Sequence, residues 1–275
     1  MEPIFADDEK SWPSECLNLL NEGLSRLREH ATDRDRIDRK CERDVVLRCD
    51  PPSPIHAGFR AQLIAQLKSV IDTQSLAGYH CTRLHSEERS AIASGGLQPL
   101  TTALAEARIR RQVELGNLSQ MIADRLLSNN AVDDTTCGHR LGMVHFCFSR
   151  ALLRRENDVR GLLGMWGGEA LYFAYEDDLE VGPVLRGIGK PTIVLAAVPI
   201  NAIQSNFAVG ERLLNCYLSR RGVRIEHAAE FQGRVHRAIG GNDVIDLISI
   251  GDPRFESLTG ASTWRRPLPS SGVDA

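Results

Sequence analysis

The period of the apolar residues changes at Gly78, and this change constrains the fold more than any other feature of the chain. Before Gly78 the apolar residues recur every three or four positions. Leu17, Leu20, Leu24 and Leu27 form one stripe from a start near Ser14, and Phe59, Leu63, Leu67 and Val70 form a second. Between the stripes, residues 33–44 are nearly all charged, with Ile37 and Cys41 as exceptions, and Pro51, Pro52 and Pro54 break the chain. After Gly78 the pattern shortens. Val144, Phe146 and Phe148 alternate with His145, Cys147 and Ser149, which predicts a strand with two distinct faces. Further strands are expected over 78–84, 169–175, 192–198, 223–237 and 243–250. Helices are expected over 87–94 (capped by Ser86 and ended by Gly95 and Gly96), 102–127, 151–163 and 211–220. Strands and helices do not alternate as βαβ units, so the expected class is α+β. The expected organisation is a helical N-terminal extension over 1–75, a main domain over 76–262 and a disordered Pro/Ser/Gly-rich tail over 263–275.

Composition removes several classes of function. The formal net charge of −3 gives no global basic field to gather nucleic acid. No apolar run approaches the ~20 residues that span a bilayer, which predicts no membrane partner. The acidic start, Met1 to Lys10, lacks the basic and apolar segments of a signal peptide, so a cytoplasmic location is expected. The 7 cysteines are irregularly spaced without a CxxC pair, which reads as free thiols. There is no GxGxxG and no P-loop. Cys137, His139, His145 and Cys147 have ligand types that suit zinc, but their C-x-H and H-x-C spacing is not a usual zinc pattern, and no metal is expected.

Three short segments carry groups suited to one chemistry: Tyr79-His80-Cys81-Thr82, Ala170-Leu171-Tyr172-Phe173-Ala174 and Ala229-Glu230-Phe231-Gln232. They supply an imidazole, a phenol and a carboxylate. Singly, each has a plainer reading. His80 can be a satisfied core histidine, Tyr172 part of a strand core, Glu230 an exposed residue pairing with Arg234 or Arg237, and Trp166 a packing anchor.

In their order the segments resemble the His-Tyr-Glu branch of the ADP-ribosyltransferase superfamily, which includes diphtheria-toxin-like toxins and poly-ADP-ribose polymerases. The resemblance covers roughly 78–258. It is carried by His80-Cys81-Thr82, the following helix and Gly96-Leu97-Gln98-Pro99, then by Gly167-Gly168-Glu169-Ala170-Leu171-Tyr172-Phe173-Ala174, and last by Glu230-Phe231 ahead of the apolar run 244–250. The resemblance implies a split antiparallel sheet with NAD as substrate, in a bacterial toxin, effector or defence protein. It implies that Glu230, or Glu226 on the same segment, stabilises positive charge on the ribose. His80 would hydrogen-bond the other ribose with Thr82 in support, Tyr172 would stack on the nicotinamide, backbone groups at Cys81 would hold the carboxamide, and Arg83 would meet a phosphate. The acceptor would be a protein or nucleic acid, and the N-terminal helices could dock a regulatory partner. Alternative readings are an NAD glycohydrolase, an RNA 2′-phosphotransferase, which needs Arg and His gathered around a phosphate, and a non-catalytic interaction module on the same fold.

Overall fold

The computed structural model describes residues 2–43, 54–132, 140–206, 208–225 and 230–269, with side chains placed in all of these except 34–43 and 54–56. In chain order the elements are α1 (Ser14–Arg43), α2 (Pro54–Ile71), β1 (Ser75–Leu84), α3 (Ser86–Gly95), α4 (Thr102–Glu114), α5 (Gln120–Ser128), β2 (Val144–Cys147), α6 (Arg150–Leu153), α7 (Glu156–Gly164), α8 (Glu169–Tyr172), α9 (Val181–Gly187), β3 (Lys190–Pro199), α10 (Val209–Arg220), β4 (Gln232–Val235), β5 (Val244–Ser249) and α11 (Pro253–Thr259). The class is α+β, as the sequence predicts. The chain divides into two compact units, one of residues 1–76 with 199–231 and one of residues 77–198 with 232–275.

The first unit packs α1, α2 and α10 together. The predicted stripes supply part of its core: Leu20, Leu27, Leu63 and Leu67 are buried, whereas Leu17, Leu24, Phe59 and Val70 are half-buried, and Ile71 of α2 with Leu213, Leu214 and Tyr217 of α10 complete it. Polar pins fix the helices in register. The Tyr217 hydroxyl donates to Asn21 Oδ1 at 2.6 Å, and Arg60 reaches both Glu211 (2.8 Å) and Asn215 (3.1 Å). The N-terminal helices are therefore completed by a helix from far along the chain, α10, which the sequence pattern assigns to the main domain.

The second unit carries the five-stranded sheet, in the order β4-β2-β1-β3-β5. The β1–β2, β2–β4 and β3–β5 pairs are antiparallel. Alternate residues of each strand face opposite sides. Tyr79 and Cys81 of β1, Ile193 of β3 and Ile248 of β5 pack with Leu153, Val159, Leu163, Phe255 and Trp264, so α6, α7 and α11 cover that face. Gly78 and His80 belong to the other face. A Cβ on Gly78 would lie 2.8 Å from both Phe146 and Val198, and the His80 ring meets Phe146 edge-on at 6.0 Å. A second core gathers Ile109 of α4, Ile122 and Leu126 of α5, Trp166, Leu171, Tyr172 and Leu185.

Five local expectations are corrected. Residues 169–175 form α8 and a 3-10 turn instead of a strand; Gly167 and Gly168 at positive φ start a helical turn, and Leu171 and Tyr172 are buried by its packing. The single helix over 102–127 is two, separated at Gly116 (φ 73°) and restarted by the Ser119 side chain capping α5. The cap of α3 is His85, one residue before Ser86, because Glu88 reaches back to the His85 N–H. The tail expected to be disordered from 263 is packed as far as 269: Trp264 is buried, and the backbone N–H groups of Arg265 and Arg266 donate to Glu156 at 2.8 and 2.9 Å. Of the strand expected over 223–237, β4 forms only over Gln232–Val235, and residues 226–229 lie outside the described set.

Candidate functional site

His80 sits on β1 between β2 and β3, and its side chain is half-buried. Its Nδ1 lies 2.9 Å from the backbone carbonyl oxygen of His145 on the neighbouring strand. A carbonyl only accepts, so Nδ1 carries the proton. Burial holds the imidazole pKa below its ordinary value, against the raising effect of that carbonyl, and the Arg108 charge lowers it further. At neutral pH His80 is therefore a neutral ring of fixed tautomer. Its Nε2 lone pair has no hydrogen-bond partner among the described residues.

Thr82 shares the face of His80, two residues along the strand, and is nearly buried. Cys81 and Arg83 belong to the opposite face. The Cys81 thiol is buried against Cys147, and that contact and burial both push its pKa up. Arg83 has no accessible surface. Its Nε donates to the Ile188 carbonyl at 2.7 Å, while Nη1 and Nη2 have no partner among the described residues. The structure thus does not bring the Arg83 guanidinium to the side that carries His80.

Tyr172 is placed by α8 rather than by a strand. Its hydroxyl lies against Gly161 of α7, where a Cβ would be 2.4 Å away. Tyr172 belongs to the second core and packs on α7 at Gly161, whereas Val159 and Leu163 of α7 meet the Tyr79–Cys81 face; no hydrogen bond, ion pair or ring contact joins Tyr172 to His80. Tyr172 instead lines a cleft of about 440 Å³ with Glu156, Asp158, Arg160, Glu169, Phe173, Glu176, Arg265 and Arg266. Burial and the nearby carboxylates of Glu169 and Glu176 raise its phenol pKa, so it stays protonated.

Glu230 belongs to the other compact unit, where its charge acts on Arg212, beside the fully buried Phe231. Glu226, Cys137 and His139 lie outside the described residues. Among the described residues no three His, Cys, Asp or Glu side chains are grouped to hold a metal.

Two features of the neighbourhood escaped sequence reading. The first is a clamp built on Glu88. Its Oε2 accepts from Trp166 Nε1 (2.9 Å) and from the His85 N–H (2.9 Å), and its Oε1 accepts from Arg108 Nε (2.7 Å). The Arg108 guanidinium also lies over the buried Trp166 ring at 5.0 Å. The only sequence trace of this clamp is a Glu at the third position of a helix, which is the signature of a capping box. The second is a gathering of basic side chains at β2 and β4. Arg140, His80, Arg234 and His236 all act on His145 and, with burial as the main cause, depress its pKa to about 4. The cross-strand pairing of His145 with Arg234 creates part of this cluster, and only strand register reveals it.

No helix among the described residues is long and apolar enough to cross a membrane. Comparison of the chain with protein-family models, with curated proteins and with solved structures gives no match.

Proposed function

We propose that the chain is an NAD-dependent ADP-ribosyltransferase whose ribose-binding residue is His80. The observation that carries this reading is the His80–His145 hydrogen bond. It fixes a neutral imidazole on a central strand with Nε2 left as an acceptor, the form needed to receive a ribose hydroxyl. Thr82 supports it from the same face. NAD supplies an ADP-ribosyl group whose bond to nicotinamide breaks with positive charge developing on the ribose. That charge calls for a carboxylate, the role that the resemblance gives to Glu230. Nicotinamide leaves with the bonding electron pair, and an oxygen or nitrogen of the acceptor bonds to the ribose carbon and gives up its proton. A protein or nucleic acid fits as acceptor, in a toxin, effector or defence role. Stacking by Tyr172 and phosphate binding by Arg83 form no part of this mechanism, since both are packed away from the His80 face.

The test is nicotinamide release from NAD by the purified protein. Glu230→Gln should slow it by about 100-fold or more, the usual cost of removing one transition-state charge partner. His80→Ala should weaken NAD binding. Unchanged turnover in Glu230→Gln would overturn the mechanism.

A second reading, an RNA 2′-phosphotransferase, is favoured by one observation: the basic side chains that act on His145 and His80 include Arg140, Arg234, His236 and Arg108. A 2′-phosphorylated RNA oligonucleotide losing its phosphate in the presence of NAD would establish this activity in place of transfer to protein.

A further inference from the structure

We infer that the cleft lined by α7, α8 and the segment after Trp264 binds a small aromatic phosphate monoester. The cleft shares no residue with the mechanism proposed above, and the inference does not rest on it. Its volume of about 440 Å³ lies within the ~300–1,000 Å³ usual for small-molecule sites. Its wall carries a polar group that nothing in the fold satisfies. Tyr172 is only 5% exposed and lines the cleft, yet its hydroxyl makes no hydrogen bond among the described residues. Burial, with the charges of Glu169 and Glu176, raises its pKa, so the oxygen keeps its proton and can donate. A buried phenol O–H ordinarily has an acceptor, and the cleft is where one can enter. Phe173 follows directly, lines the same cleft and is 61% exposed, so a planar ring stacked on it would remove that surface from water.

Charge decides the sign of the ligand. The carboxylates that line the cleft all have partners. Both oxygens of Glu156 accept backbone N–H groups, from Arg265 and Arg266. Asp158 lies 3.7 Å from Arg155, Glu169 pairs with Arg140, and Glu176 lies 3.8 Å from Arg160. Arg265 and Arg266 are exposed and line the same cleft, and their guanidiniums form no ion pair or hydrogen bond among the described residues. Their backbone is fixed by Glu156 and by the buried Trp264, so the segment is ordered before any ligand arrives. Two free guanidinium forks favour a dianion, and a phosphate monoester carries nearly two charges at about pH 7. The ring of such a ligand meets Phe173, its phosphate meets the two arginines, and one of its oxygens accepts from Tyr172.

Isothermal titration of the full chain with phenyl phosphate, adenosine 5′-monophosphate, phenol, adenosine and inorganic phosphate tests the inference. At least one of the two aromatic phosphates should bind about 10-fold or more tightly than its bare ring compound or inorganic phosphate. Which of the two binds distinguishes a phosphorylated aryl group from a nucleotide as the source. Tyr172→Phe keeps the ring and should weaken binding by roughly 10-fold, and Phe173→Ala by roughly 5-fold or more. Arg265→Gln combined with Arg266→Gln should weaken it by roughly 100-fold. Phe173 and both arginines are exposed, so these variants should keep the wild-type melting temperature within a degree or so. His80→Ala should leave the affinity unchanged. No binding of either aromatic phosphate at about 1 mM overturns the inference. Three other results also overturn it: binding that survives all of the cleft changes, inorganic phosphate binding as tightly as the aromatic phosphates, and loss of binding in His80→Ala, which would assign the ligand to the proposed NAD site.

Discussion

A guanidinium without accessible surface and with two unpaired amino groups is costly to keep charged inside a protein. Among the described residues Arg83 is that case, and burial depresses its pKa to about 10. Replacing it by Met, which has a similar shape and no charge, should raise stability by roughly 1–3 kcal/mol. A lower melting temperature for Arg83→Met would show that the amino groups are satisfied by bound water or an anion. His145 makes a second residue-scale prediction. Its Nε2 is buried without a partner among the described residues, and its pKa of about 4 lies below the 6.5 of an unfolded histidine. Between those values the unfolded chain binds the extra proton, so stability falls as pH drops from about 6.5 towards 4 and is retained above 6.5. The full loss is up to ~3 kcal/mol. Urea midpoints measured from pH 7.5 to 4.5 should decline less steeply in His145→Phe than in the wild type; parallel curves would exclude His145 as the source.

Two glycine turns hold neighbouring elements in place. Gly96 ends α3 at φ 81° and ψ −168°, a region open essentially to glycine alone, and a Cβ there would lie 1.9 Å from the Ile239 carbonyl. Leu97 and Ile239 exchange both backbone hydrogen bonds at 2.9 Å. Across the same contact, a Cβ on Gly241 would meet the Ser94 carbonyl at 2.2 Å. Gly96→Ala should therefore cost about 3 kcal/mol or more, measured as a drop in the urea midpoint at unchanged slope. An effect under ~1 kcal/mol would mean that the turns can separate. The sequence marks both glycine pairs as turns through their residue type. It does not show that they dock, because residues 96 and 239 are brought together only by the path of the chain between them. The same distinction applies to α8. Its Tyr-Phe-Ala run has strand-forming residues, yet the positive-φ pair Gly167–Gly168 and the burial of Leu171 and Tyr172 against α4, α5 and α7 settle it as a helix.

For the whole molecule, a ligand that binds only the folded chain raises its stability by mass action. NAD at 100 times its dissociation constant should add about 2.7 kcal/mol, a rise of a few degrees in melting temperature for a protein of this size. Nicotinamide riboside at the same multiple should match it, and absence of any shift with either would leave the proposed function without a ligand. What the sequence determined by itself was local. Apolar period placed α1, α2, β1, β2, β3 and β5, and residue type marked His80 and Thr82 as sharing one strand face, because side-chain direction along a strand or helix is fixed by backbone geometry alone. What only the tertiary structure decided was partnership: α10 packing with the N-terminal helices, Tyr172 on the side of α7 and not with His80, Glu88 clamping Arg108 over Trp166, and the His145 carbonyl selecting the His80 tautomer. Each of these joins residues far apart in the chain, and such contacts depend on how whole faces bury against one another, which no local spacing encodes.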